Sequence, residues 1–143
     1  MGLSFSFLKD WWLGQQDFRI LMTGLDNAGK TTMLYKLSLG EAIIFVVDST
    51  DYYRFDEVKE ELQTMLKEES LKEAKLLVLN NKSDLPMCKS SSIVASELGI
   101  CSITNREWAI QSCCAKSGEG VIQGLEKLYL SLTGRRKMLG EIC

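Results

Sequence analysis

The chain has 143 residues, 45% hydrophobic and 25% charged, with a formal net charge of −2. That length suits one domain with a real core, and the balance is ordinary for a globular protein. The slight acidity gives no electrostatic reason to expect nucleic acid as a partner, and no apolar run is long enough to span a bilayer.

There is no histidine, and the five cysteines (Cys88, Cys101, Cys113, Cys114 and Cys143) form no C-x-x-C pair. Neither a zinc site nor a Cys–His nucleophile is supported. The odd cysteine count, with no secretory signal, favours a reducing compartment. The commonest general base is also missing, so any hydrolysis here has to work by positioning and electrostatics.

Residues 1–16 read as a unit. Gly2 and Ser6 fit M-G-x-x-x-[ST], an N-myristoylation signal. Leu3, Phe7, Leu8, Trp11 and Trp12 recur at helical spacing, with Lys9 and Asp10 off that face. This pattern predicts an amphipathic helix that lies on a membrane surface, or a terminal helix packed on the domain. One acyl chain holds a membrane only marginally, so the helix would be the second signal. The expectation is a cytoplasmic protein held peripherally on membranes.

Residues 17–134 form the domain. Phe18–Thr23 is the first predicted strand, and Lys30–Leu39 the first helix, closed by Gly40. Between them Gly24-Leu25-Asp26-Asn27-Ala28-Gly29-Lys30-Thr31-Thr32 reads G-x-x-x-x-G-K-[ST]. The glycines let successive N–H groups curl around a phosphate, and the helix start adds its positive end. Lys30 would reach the β and γ phosphates, and the Thr31 hydroxyl would bind Mg²⁺.

Ala42–Asp48 is a continuous β-branched apolar run, as in a parallel strand covered on both faces. A helix follows from about Arg54 to Glu69, with Val58, Leu62, Met65 and Leu66 on one face and charge on the other. Lys75–Asn80 is the third strand, Ser92–Leu98 a short helix, Trp108–Ser112 the fourth strand and Val121–Thr133 the last helix. Residues 135–143 are a short tail that opens with Arg135-Arg136-Lys137. Strands that alternate with helices mean an α/β fold with a mainly parallel sheet of about four strands.

Asn81-Lys82-Ser83-Asp84 sits at the carboxyl end of the third strand, where ligands bind in open parallel sheets. Asp84 there can accept hydrogen bonds from the N1–H and N2–H₂ of guanine, and adenine has no matching donors. The Lys82 stem can lie along the base plane. Cys114-Ala115-Lys116, at the next strand end, can offer backbone N–H groups to the base oxygen O6.

Gly24–Thr32 together with Asn81–Asp84 resembles the small GTPases, a P-loop NTPase-like α/β fold. Leu34-Tyr35-Lys36-Leu37, Leu39-Gly40-Glu41, Val46-Val47-Asp48-Ser49, Cys113-Cys114-Ala115 and the Gly2 signal are similar to the Arf and Arf-like branch, over nearly the whole chain. The resemblance implies GTP or GDP binding with Mg²⁺ and a myristoylated Gly2. It also implies a switch in vesicle trafficking on endomembranes such as the Golgi, worked by exchange factors and effectors.

One departure stands out. That branch has a long segment between its first helix and the Val-Asp-Ser strand, and here the two join at Glu41/Ala42. The switch I threonine, the Asp-x-x-Gly loop and the water-orienting switch II glutamine go with it, so no catalytic residue is carried over. Two strands are lost as well, one of which pairs with the first strand in the family. A direct helical link from strand one to Ala42–Asp48 would be a left-handed crossover, which parallel sheets almost never use. The helix has to change face, the strand has to move, or folding suffers. If the strand order is kept, the first strand becomes an exposed edge.

Overall fold

The computed structural model describes residues 19–24, 33–35 and 41–138, with side chains from 42 onward. Its sheet holds five strands: β1 (Arg19–Gly24), β2 (Met33–Tyr35), β3 (Glu41–Asp48), β4 (Lys75–Asn81) and β5 (Trp108–Ser112), in the order β2-β1-β3-β4-β5. All neighbouring pairs are parallel except β1 with β2. Three α-helices lie among the described residues, α1 (Phe55–Leu66), α2 (Ser91–Glu97) and α3 (Val121–Leu132). None of the described helices is long and apolar enough to cross a membrane.

The unbroken apolar runs in β3 and β4 follow from burial on both faces. Alternate strand residues point to opposite sides. Ile44, Val46, Leu77 and Leu79 join Val121, Leu125 and Leu128 of α3 in one core. Ile43, Phe45, Leu76 and Val78 join Val58 and Leu62 of α1 and Val94 of α2 in the other. The α1 helix starts one residue later than its periodicity predicts, because Tyr52–Arg54 forms a 3₁₀ turn first.

The region before β3 corrects the sequence reading. A helix is expected over Lys30–Leu39, but Met33–Tyr35 is a strand paired antiparallel to β1, with Ile20 opposite Tyr35 and Met22 opposite Met33. The rest of that stretch lies outside the described residues. Two physical facts explain the change. With the family's neighbouring strand missing, the outer backbone groups of β1 need partners, and β2 supplies them. A strand that returns antiparallel also brings the chain back to the amino end of the sheet. Glu41 then starts β3 opposite Arg19, and the handedness rule for parallel crossovers no longer applies. The strand order is kept, and β1 is not the edge.

The amino end of the sheet is tied by charge. Glu107 accepts from Lys75 Nζ (3.3 Å), from Met138 N (3.4 Å) and from Ser131 Oγ. The Arg106 guanidinium donates to the carbonyl of Leu66, the last residue of α1, and to those of Leu71 and Ala74 beyond it, where a cation suits the helix dipole. Cys88, Cys113 and Cys114 carry free thiols. Cys101 is disulfide-bonded, which the reading of a reducing compartment does not anticipate.

Candidate functional site

Four chain segments reach the carboxyl end of the parallel strands. β1 ends at Gly24, the first residue of the glycine-rich stretch. β3 ends at Asp48, and Asn81 lies opposite it at the end of β4. The chain beyond β5 runs into Cys113–Lys116. This is the edge at which open α/β sheets take ligands. Leu25, Asp26, Asn27, Ala28, Gly29, Lys30, Thr31 and Thr32 lie outside the described residues, as do Gly2 and the rest of residues 1–16.

Asn81 is buried and acts as the tie between two loops. Its Oδ1 accepts from Ala115 N at 2.9 Å and from Cys113 Sγ at 3.8 Å. The carbonyl of Cys113 in turn accepts from both Ser83 N (3.0 Å) and Ser83 Oγ (2.8 Å). The Asn81–Asp84 turn and the Cys114–Lys116 turn are therefore one hydrogen-bonded unit. Asp84 projects from it, exposed, and has no side-chain hydrogen bond among the described residues.

The second turn is shaped by a glycine. Cys114 N donates to Glu119 O and Gly118 N to Cys114 O, both at 2.8 Å. Gly120 then enters α3 at φ +79°, and a Cβ there would sit 2.1 Å from the Ser112 carbonyl oxygen. Only glycine allows this approach.

Lys82 adopts φ +62°, the left-handed region, which costs a non-glycine residue roughly 1 to 2 kcal/mol. Its ammonium meets Asp48 Oδ2 at 2.8 Å. Thr50 donates to the other Asp48 oxygen from N (2.9 Å) and Oγ1 (2.6 Å). Burial pushes the Asp48 carboxyl up, but the hydrogen bonds from Lys82 and Thr50 outweigh it and hold the group below its usual value. Burial also pushes the Cys113 thiol up to about 12, so Cys113 is a structural thiol rather than a nucleophile.

Asp48 and Thr50 escape the sequence reading, which takes Asp48 as the end of a strand and gives Thr50 no part in the site. The one signal is a carboxylate that ends a buried apolar strand two positions before a threonine. Two concavities, of about 270 Å³ beside Trp108 and Leu130 and about 550 Å³ beside Glu57 and Met65, include none of Asn81–Asp84 or Cys114–Lys116.

The family model described as "ADP-ribosylation factor family" matches residues 4–42 and 40–132. The chain belongs to that family and is an Arf-like small GTPase by relationship. The two matched segments meet at residues 40–42, where the sequence places the join. Proteins of this family generally bind GTP or GDP with Mg²⁺.

Proposed function

We propose that this protein binds guanine nucleotides at the carboxyl end of its sheet, without the parts that read or cleave the γ-phosphate. The observation that carries the reading is the Asn81–Ala115 hydrogen bond. It joins the two turns that would frame the base, and it leaves Asp84 exposed at the rim to accept from guanine N1–H and N2–H₂. Asn81, Lys82 and Asp84, with Cys114, Ala115 and Lys116, would frame the base. Gly24–Thr32 would hold the phosphates, and Thr31 would offer its hydroxyl to Mg²⁺. Hydrolysis is expected to be slow, because nothing replaces the water-orienting glutamine. Gly2 acylation and the residue 1–16 helix would bring the protein to a membrane surface, with exchange factors and effectors of the trafficking type as partners.

A second reading, an inactive shortened variant of an Arf-like protein, is favoured by β2. A strand at Met33–Tyr35 replaces the helix expected to aim its positive end at a phosphate.

Titration of GDP, GTP and ATP, with and without Mg²⁺ and with phosphate release followed, separates the two. Guanine-selective binding with little turnover supports the first, and no binding by a folded protein selects the second. Asp84→Asn should weaken guanine and favour xanthine, whose C2 carbonyl needs a donor. An unchanged base preference would refute the role given to Asp84.

A further inference from the structure

We infer that Asp48, to which the motifs above give no binding role, is a positioning residue of the base site and acts through Lys82; this rests on the guanine-nucleotide reading above. Asp48 ends β3 and Lys82 follows the end of β4, and the two strands are neighbours. The Lys82 stem therefore bridges two strand ends about 4.8 Å apart, with its ammonium 2.8 Å from Asp48 Oδ2.

The strand order gives that bridge its meaning. On the far side of β3, β1 ends at Gly24, the root of the glycine-rich stretch. On the other side of β4, the chain after β5 carries Cys114–Lys116. A nucleotide with phosphates at Gly24–Thr32 and a base at Asp84 has to cross the middle of the sheet end, over the Lys82 stem. The ammonium is engaged by Asp48, so Lys82 presents methylenes to the ligand instead of a charge.

Asp48 is built for the task. Its side chain is 11% exposed, Lys82 holds one oxygen, and two donors from Thr50 hold the other. The two Thr50 bonds hold its rotamer independently of the oxygen that Lys82 takes. The turn after it is fixed too, by Ser49 N to Asn81 O at 3.1 Å and Lys89 N to Ser49 O at 2.8 Å. An asparagine in place of Asp48 would offer one carbonyl oxygen to three donors, and the lysine would be released from its place across the strand ends.

The test is a double-mutant cycle on the full chain, with GDP titrated by calorimetry into wild type, Asp48→Asn, Lys82→Met and the double variant, and with urea stability measured for each. Asp48→Asn should weaken GDP about five- to tenfold. It should leave the GDP-over-XDP preference unchanged, because Asp84 reads the base edge. In the Lys82→Met background the same change should have almost no further effect on GDP. Additive losses, or wild-type affinity in Asp48→Asn, overturn the inference alone. Wild type that binds no GDP overturns the guanine reading and the inference with it. If Asp48→Asn does not fold, Thr50→Val decides: a smaller loss of GDP affinity that vanishes with Lys82→Met supports the inference, and one that persists overturns it.

Discussion

Asn81 is the residue whose removal should tell most about how the site is assembled. In Asn81→Ala, the Ala115 N–H loses its acceptor at 2.9 Å and the Cys113 thiol loses one at 3.8 Å. Cys113 is buried, and Ala115 is half-buried and can recover part of its loss from water. A stranded buried donor costs about 1 to 3 kcal/mol. The long thiol contact adds little, but the truncated side chain, 4% exposed, leaves a small void. The expected destabilisation is about 2 kcal/mol. Ser83→Ala is the matched control. It removes the Ser83 Oγ bond to the Cys113 carbonyl, but that carbonyl keeps Ser83 N at 3.0 Å. No group is stranded, and the cost should stay below about 0.5 kcal/mol. Urea unfolding at pH 7 measures both, with equal slopes required for the comparison. If Ser83→Ala costs as much as Asn81→Ala, the picture of Asn81 as the tie between the two turns is wrong.

Three further outcomes are expected. Asp48 and Glu107 both lie below their usual 3.8 and 4.5; burial pushes each up but hydrogen bonds outweigh it, from Lys82 and Thr50 for Asp48 and from Ser131, Lys75 and Met138 N for Glu107. The unfolded chain therefore binds more protons in that window, so this stability is present above the usual values and lost as pH falls through the folded ones. Urea midpoints between pH 6 and 3 should fall less steeply in Glu107→Gln, and an unchanged slope would count against it. Gly120→Ala should cost at least about 2 kcal/mol, from the left-handed backbone and the overlap with Ser112 O; near-wild-type thermal unfolding would contradict that geometry. Iodoacetamide at pH 8 should label half-exposed Cys88 well before Cys113, whose thiol is buried and pushed up to about 12. Equal rates by mass spectrometry would mean that Cys113 is open to solvent.

How much could be read in advance depended on whether local pattern or distant neighbours decided the outcome. The Ala42–Val47 run, the Leu76–Leu79 run and the Val121–Leu132 periodicity announce β3, β4 and α3, because burial on a given face leaves its period in the sequence. Met33–Tyr35 does not announce β2. Its spacing suits a helix, and what overrides it is the need of β1 for a neighbour, a fact about a segment that is not there. The site divides the same way. Asn81–Asp84 is visible as a motif at a strand end. The part played by Asp48 depends on the register that sets it opposite Asn81, and no local pattern carries that. The two hydrogen bonds that Ser83 donates to Cys113 O are likewise a product of β4 and β5 being neighbours.

The edge position of β2 sets how the sheet opens. Among the described strands β2 is bonded on one side only, to β1, whereas β3 and β4 are bonded on both, so the outer margin is thin where the centre is thick. Amide hydrogen exchange should rank the strands accordingly, with β1 opening at lower free energy than β3 and β4. The root of the glycine-rich stretch stands on that thin margin, while Lys82 and Asp84 follow a strand in the centre. A nucleotide that spans both would lock the margin to the centre. At a hundredfold excess over its dissociation constant it would add roughly 2.7 kcal/mol, and the gain would appear as slowed exchange in β1 before any change in β4.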